Sequence, residues 1–322
     1  MKFVTFTRED EVRPGVLDAD RVHPLDGVSS LLEVIGGGLD DALALGRSAM
    51  EGSSYAVSDI RLLAPLIPPT IRDFAAFEEH VEGMVKARGD DATVTLDWYS
   101  APRFYFSNPY AVVGPYDDVP IPPGCESFDY ELEVAAVIGR PGANLDPAEA
   151  EAHIFGYTIM NDWSARDIQM PEMRAGLGPA KAKDTATTLG PYLVTRDELD
   201  SARDAEGFLT LRLQVAVNGV VLGEDVLSNM SWTFGELVSY AARGTEVRAG
   251  DVIGSGTAGN GGCLGELWGR YGEDFHDSLR AGDVVEISVE HLGVIRNRVV
   301  SGEPVRPIPE ARRKAASSSR VG

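Results

Sequence analysis

Residues 129–139 read Asp129-Tyr130-Glu131-Leu132-Glu133-Val134-Ala135-Ala136-Val137-Ile138-Gly139. If 131–138 is a strand, side chains two residues apart share a face. Glu131 and Glu133 then point together, and Tyr130, Leu132 and Val134 point the other way. Beyond Glu133 the shared face turns apolar at Ala135 and Val137. Two neighbouring carboxylates leading into a buried strand repel each other and resist desolvation. A hard, oxygen-ligated cation such as magnesium relieves both problems. Two solvated acids at a sheet edge would show the same spacing, so the pattern alone leaves both readings open.

Working outward, strand patterns recur at 2–6, 111–113, 154–160, 209–217 and 284–289, with turns at Asn218-Gly219 and 280–283. Helical spacing covers 40–50, 71–88 (ended by Gly89) and 234–242. Thirty-five glycines and nineteen prolines suit a turn-rich, strand-rich chain better than a helix bundle. The expected class is α+β and β-rich. The expected division is a small N-terminal subdomain or arm over 1–66, a catalytic domain over 67–310 and a disordered tail over 311–322.

The formal charge of −21 disfavours nucleic acid and anionic membrane surfaces as partners. No apolar run is long enough to span a membrane and the first residues lack a signal-peptide core, so the expected location is cytoplasmic. Cys125 and Cys263 are too few for a disulfide framework or a zinc site made of cysteines alone. An acidic protein that binds an anionic substrate needs local positive charge, and Lys181 and Lys183 are two of only five lysines.

Three further segments carry chemistry. In 156–169 a strand runs into Asn161-Asp162 and turns toward a helix; Asp162 offers a third oxygen ligand or a helix N-cap. Arg166 and Gln169, three apart, share a face if the turn is helical and suit a carboxylate or a developing oxyanion. In Asp73-Phe74-Ala75-Ala76-Phe77-Glu78-Glu79-His80, the helical reading puts Asp73 and His80 on one face, with His80 a candidate general base. In the glycine-rich run 253–266, Gly254, Gly256 and Gly259 fit G-x-G-x-x-G, so a dinucleotide-binding oxidoreductase is the distant alternative. Asn260-Gly261-Gly262 is a poor helix start and no βαβ pattern lies nearby, which favours a loop closing over a site.

Taken in order, Asp-Phe-x-x-Phe-x-x-His, Asp-Tyr-Glu-x-Glu, Met-Asn-Asp-Trp-Ser-Ala-Arg-Asp-Ile-Gln, Lys-x-x-x-Thr-Thr-x-Gly-Pro and Ser-Gly-Thr with its glycine-rich loop and Glu resemble the fumarylacetoacetate hydrolase family from about Leu62 to Arg306. The resemblance implies that family's mixed β-sheet roll, usually as a homodimer. It implies a Mg²⁺ site (or Mn²⁺ or Ca²⁺) at Glu131, Glu133 and Asp162, with Asp73 as a further ligand. His80 falls on a catalytic histidine and Glu266 on its glutamate partner. Arg166, Gln169, Lys183 and Thr257 fall on substrate-contacting positions, Lys183 also as a catalytic cation, and Tyr105 matches a substrate-contacting tyrosine. Ala75 stands where fumarylacetoacetase carries another such tyrosine, which argues against fumarylacetoacetate itself. The implied reaction is metal-dependent hydrolysis of a carbon–carbon bond in a small dicarbonyl acid, through water activated by His80 and Glu266. The alternative is isomerisation, decarboxylation or hydration of 2-hydroxy-dienoates at the same metal.

Overall fold

The Leu132–Ile138 strand runs through the middle of the computed structural model, which describes residues 1–87 and 93–312. All seven of its residues are buried. Leu132, Val134, Ala136 and Ile138 belong to one hydrophobic cluster, and Ala135 and Val137 to a second on the other face. Burial on both faces is what a near-continuous Val/Ile/Ala run encodes. Glu131 and Glu133 lie at the end of the Ala135–Val137 face, where the apolar packing stops.

The strand pairs antiparallel with Ile154–Asp162 (Leu132↔Asn161) and with Val252–Gly254 (Ala135↔Gly254). The latter pairs parallel with Ile71–Phe74, which pairs with Phe104–Ser107. On the other side Ile154–Asp162 pairs with Thr187–Thr195, which takes Lys2–Arg8 at its far end. Among the described residues this makes one sheet of twelve strands, and a second sheet of five strands is built on Arg212–Val217 and Val284–Val289. The N-terminal strands Lys2–Arg8, Glu11–Asp18 and Arg21–Pro24 form a meander covered by the Leu31–Gly36 and Leu39–Met50 helices. Phe3, Val16, Leu31 and Ile35 pack into the same cluster as Ala135 and Val137, so the N-terminal β subdomain supports the back of the central strand. The fold is mixed α+β and strand-rich, and no helix of the described residues is long and apolar enough to cross a membrane.

The Leu39–Met50 and Phe234–Ala242 helices lie where helical spacing puts them; the latter carries a reciprocal Thr233–Glu236 capping box. The 71–88 reading is corrected. Ile71–Phe74 is a strand with four buried residues, and the helix begins only at Glu78 and runs to Lys86. Four residues are too few for their pattern to tell strand from helix, and here the backbone of Ile71–Phe74 is claimed by strands on both sides. Asp73 therefore reaches the site from a strand and His80 from the helix that follows. Arg88 and Gly89, which that reading included, lie outside the described residues. Of the 311–322 tail only Ala311 and Arg312 lie within them.

Candidate active site

The acids meet because the sheet lays their strands side by side. Along one rung Tyr105 faces Asp73, Asp73 faces Gly254, and Gly254 faces Ala135. A Cβ at Gly254 would stand 2.3 Å from Asp73 Oδ1, so only glycine leaves room for this carboxylate to lean over the neighbouring strand. Gly256, at φ +77°, brings its N–H to 3.2 Å from the same oxygen. The glycine-rich run is thus packed tightly under the acids.

Carboxylate oxygens of Asp73, Glu131 and Glu133 lie within 4.8 Å of one another. Asp162, at the end of its strand, joins them through shared partners. The Tyr105 hydroxyl is 2.6 Å from Asp73 Oδ2 and 2.5 Å from Asp162 Oδ2. Lys183 Nζ is 2.9 Å from Asp162 Oδ2 and also contacts Glu131 Oε2. Of these six groups all but the partly buried tyrosine are buried. Thr257 Oγ1 donates to Glu133 Oε1 over a long 3.4 Å. Glu133 Oε2 and Asp162 Oδ1 are buried with no hydrogen-bond partner.

The electrostatics follow from crowding. Burial, then the charge of Asp162, pushes Asp73 up to about 7. Burial, then Asp73 and Glu131, holds Glu133 well above the usual carboxylate range. Burial also raises Asp162, against the pull of Lys183. Burial works on Glu131 too, but Lys183 and Arg166 outweigh it and hold this acid below the usual range. Five buried acids, with Asp129 counted, surround two cations, Lys183 and Arg166. Surplus negative charge, two orphaned oxygens and an all-oxygen donor set fit a hard divalent cation. Asp73, Glu131 and Glu133 would hold it, with the free oxygen of Asp162 beside them.

Arg166 opens the Arg166–Arg174 helix, which puts Gln169 on its face: Arg166 Nη1 donates to Gln169 Oε1 at 3.0 Å. Its other nitrogens face acids, Nε through a hydrogen bond and Nη2 through ion pairs alone. Nε donates to Asp129 Oδ2 at 2.8 Å, and Nη2 lies 2.7 Å from Asp129 Oδ2 and 2.8 Å from Glu131 Oε1. Asp129 in turn accepts the N–H groups of Leu264 and Gly265, at the start of the Leu264–Tyr271 helix, at 2.8 and 2.9 Å. Sequence reasoning gave Asp129 no role. The signal was present: Asp129, Glu131 and Glu133 continue one i, i+2 alternation. Arg166 and Lys183 thus grip Glu131 by its two oxygens, and are less free than substrate-facing cations would be.

His80 and Glu266 come from two helices in close contact. A Cβ at Gly269 would lie 2.0 Å from Gly83 O, and that tight crossing brings Glu78–Lys86 against Leu264–Tyr271. His80 Nδ1 lies 3.6 Å from Glu266 Oε2, outside hydrogen-bond range, and 3.8 Å from Cys263 Sγ. Glu266 Oε1 is fixed by Arg270 Nε at 2.9 Å and by the Gly261 N–H at 3.2 Å. A cleft of about 610 Å³ opens over these groups. His80, Glu131, Tyr105, Arg166, Gln169, Lys183 and Thr257 all line it, and Met84, Trp98 and Leu177 give it an apolar wall. The structure therefore brings every expected site residue to one place.

Residues 70–300 match the family model described as fumarylacetoacetate (FAA) hydrolase, C-terminal, and residues 1–65 match the one described as Rv2993c-like, N-terminal. The chain is 35% identical over 190 residues to the mitochondrial oxaloacetate tautomerase FAHD2A of Bos taurus, a match spanning 59% of this chain and 56% of that protein's length. The solved 5-carboxymethyl-2-hydroxymuconate delta-isomerase of Mycobacterium smegmatis is 26% identical with a TM-score of 0.67, covering 94% of this chain and all of that one. The maleylpyruvate hydrolase of Sphingobium sp. SYK-6, solved with manganese(II) and pyruvate, has the same fold at 19% identity with a TM-score of 0.69, covering 94% of this chain and 100% of that one.

Proposed function

The chain belongs to the fumarylacetoacetate hydrolase family of enzymes, and on that premise we propose that it catalyses keto–enol proton transfer on a small 2-oxo dicarboxylic acid of the oxaloacetate type. The reading rests on one observation: the charges of Arg166 and Lys183 are largely engaged in ion pairs with Asp129, Glu131 and Asp162. Hydrolysis of an acyl carbon needs donors aimed at a new oxyanion. A proton shift needs one acid–base group beside an activated carbonyl.

In this reading Asp73, Glu131 and Glu133 hold a divalent cation, which when bound supplies Lewis acidity to the oxygens of a 2-oxo acid and favours the enol. His80 lines the cleft and carries the proton between C3 and the enol oxygen. The Gln169 amide, turned by its bond to Arg166, offers its NH₂ to a substrate carboxylate. The Met84–Leu177 wall keeps water from the reacting carbon.

Carbon–carbon hydrolysis of an acylpyruvate is the second reading. Glu266 stands behind His80 as an orienting acid would behind a water-activating base, and the cleft has room for a longer acyl chain. A spectrophotometric comparison separates the two. The first reading predicts metal-dependent decay of enol-oxaloacetate absorbance far above the buffer rate, and little cleavage of acetylpyruvate. Rapid acetylpyruvate cleavage with no acceleration of ketonisation would overturn it in favour of hydrolysis.

A further inference from the structure

Next to the oxygen-lined cluster lies a set of donors with different chemistry. His80 and Met84 stand one turn apart on the Glu78–Lys86 helix. Cys263 caps the facing Leu264–Tyr271 helix, and its sulfur lies 3.8 Å from His80 Nδ1 and 3.9 Å from Met84 Sδ. Ligand atoms of His80, Cys263 and Glu131 all fall within 4.8 Å of one another, and all three residues are buried. A second observation points the same way: Glu266 Oε2, fully buried, has no hydrogen-bond partner and faces the same imidazole nitrogen at 3.6 Å. A tetrahedral ion holding a thiolate at about 2.3 Å and an imidazole at about 2.0 Å would separate sulfur from nitrogen by about 3.5 Å, close to the 3.8 Å found. Thiolate, thioether and imidazole favour borderline and soft ions, whereas carboxylates favour magnesium, calcium or manganese.

We propose that His80, Cys263 and Glu131, with the Met84 thioether alongside, form a second metal site for a thiophilic ion such as Zn²⁺, and that its occupation immobilises His80 and stops turnover. The cysteine binds as thiolate, so each ion that enters releases the thiol proton to solvent. His80 and Met84 line the cleft, which gives the ion its way in. The site needs the cleft and the two helices, not a particular reaction, and its binding readouts stand whichever reading of the activity holds.

The test is to titrate the Mg²⁺-loaded protein with Co²⁺ and with Zn²⁺. One further Co²⁺ per chain should bind with a near-ultraviolet thiolate-to-cobalt charge-transfer band, while elemental analysis shows Mg²⁺ retained. Zn²⁺ at one equivalent should suppress activity, and brief chelation followed by Mg²⁺ should restore it. Cys263→Ser should lose the band and need about tenfold or more additional Zn²⁺ for the same inhibition. Met84→Leu should keep the band with weaker binding, and the wild-type band decides the matter if the serine variant does not fold. Cobalt bound with no thiolate band, or Zn²⁺ displacing Mg²⁺ one for one in both wild type and Cys263→Ser, would overturn the proposal.

Discussion

The carboxylate cluster and the His80–Glu266 pair face the same cleft but are built differently. The acids ride on strands or strand ends whose registers are fixed by backbone ladders, so Asp73, Glu131, Glu133 and Asp162 converge without depending on one another's side chains. His80 and Glu266 ride on two helices held by side-chain and glycine packing, and they stop at 3.6 Å without a hydrogen bond. A ladder sets position to within a rung; a helix pair leaves a side chain some freedom. That division suits a fixed ion beside a group that must give and take a proton.

The sharpest way to break this comparison is to remove the helix-borne histidine alone. His80→Ala should lower turnover of the active substrate by about 10²–10⁴-fold and leave divalent-ion binding at wild-type strength, measured by steady-state kinetics and calorimetry. Loss of metal binding in this variant would mean the two regions are one unit. Next in size is Asp129→Ala, which strips a buried guanidinium of its main partner and leaves two helix N–H groups unbonded. Urea denaturation should record a loss of about 3–5 kcal/mol, and a loss below about 1 kcal/mol would show that Asp129 does not anchor the two helices.

The sequence made the strand-borne half easy to read and the helix-borne half hard. Glu131 and Glu133 follow from two-residue alternation, and the apolar run after them marks a strand buried on both faces. Arg166 and Gln169 follow from helical spacing and do bond to each other. The 71–88 segment misled because four buried residues in a row carry no period, and only the neighbouring strands decide their backbone. His80 lies far along the chain from Cys263 and Glu266, which share one helix start; the resemblance placed His80 and Glu266, while no local pattern signals the packing of their helices. Likewise, nothing local says that Arg166 and Lys183 bind the acids of the site, since that depends on how many carboxylates the fold buries there.

Acidity sharpens the comparison from the strand side. In metal-free protein Asp73 titrates near 7 instead of near 3.8. The native state therefore holds a proton that the unfolded chain has released across that window. The stability this contributes is complete below pH 3.8 and is lost as pH rises through about 7, at up to about 1.4 kcal/mol per pH unit. Stripped wild type should thus lose stability relative to stripped Asp73→Asn as pH goes from 4 to 7. Saturating Mg²⁺ should abolish the loss, since the ion takes the proton's place. Parallel pH profiles of the two stripped proteins would contradict the crowding described here.

The smallest expected effect belongs to Tyr105, whose hydroxyl bridges Asp73 and Asp162. Tyr105→Phe should weaken metal binding by about tenfold through loss of that bridge. An unchanged metal affinity together with a raised KM would return Tyr105 to the role of a direct substrate contact.

The most direct test of the strand-borne site is calorimetric titration of chelator-stripped protein with Mn²⁺ or Mg²⁺, wild type beside Glu133→Gln. Glu133 is the acid whose charge burial and its neighbours oppose most plainly, so the amide should leave the stripped protein folded. The account predicts one ion per chain and a higher melting temperature on loading for wild type, and affinity at least about a hundredfold weaker for the variant. Equal affinity and stoichiometry in the two proteins, or no binding to wild type, would contradict it.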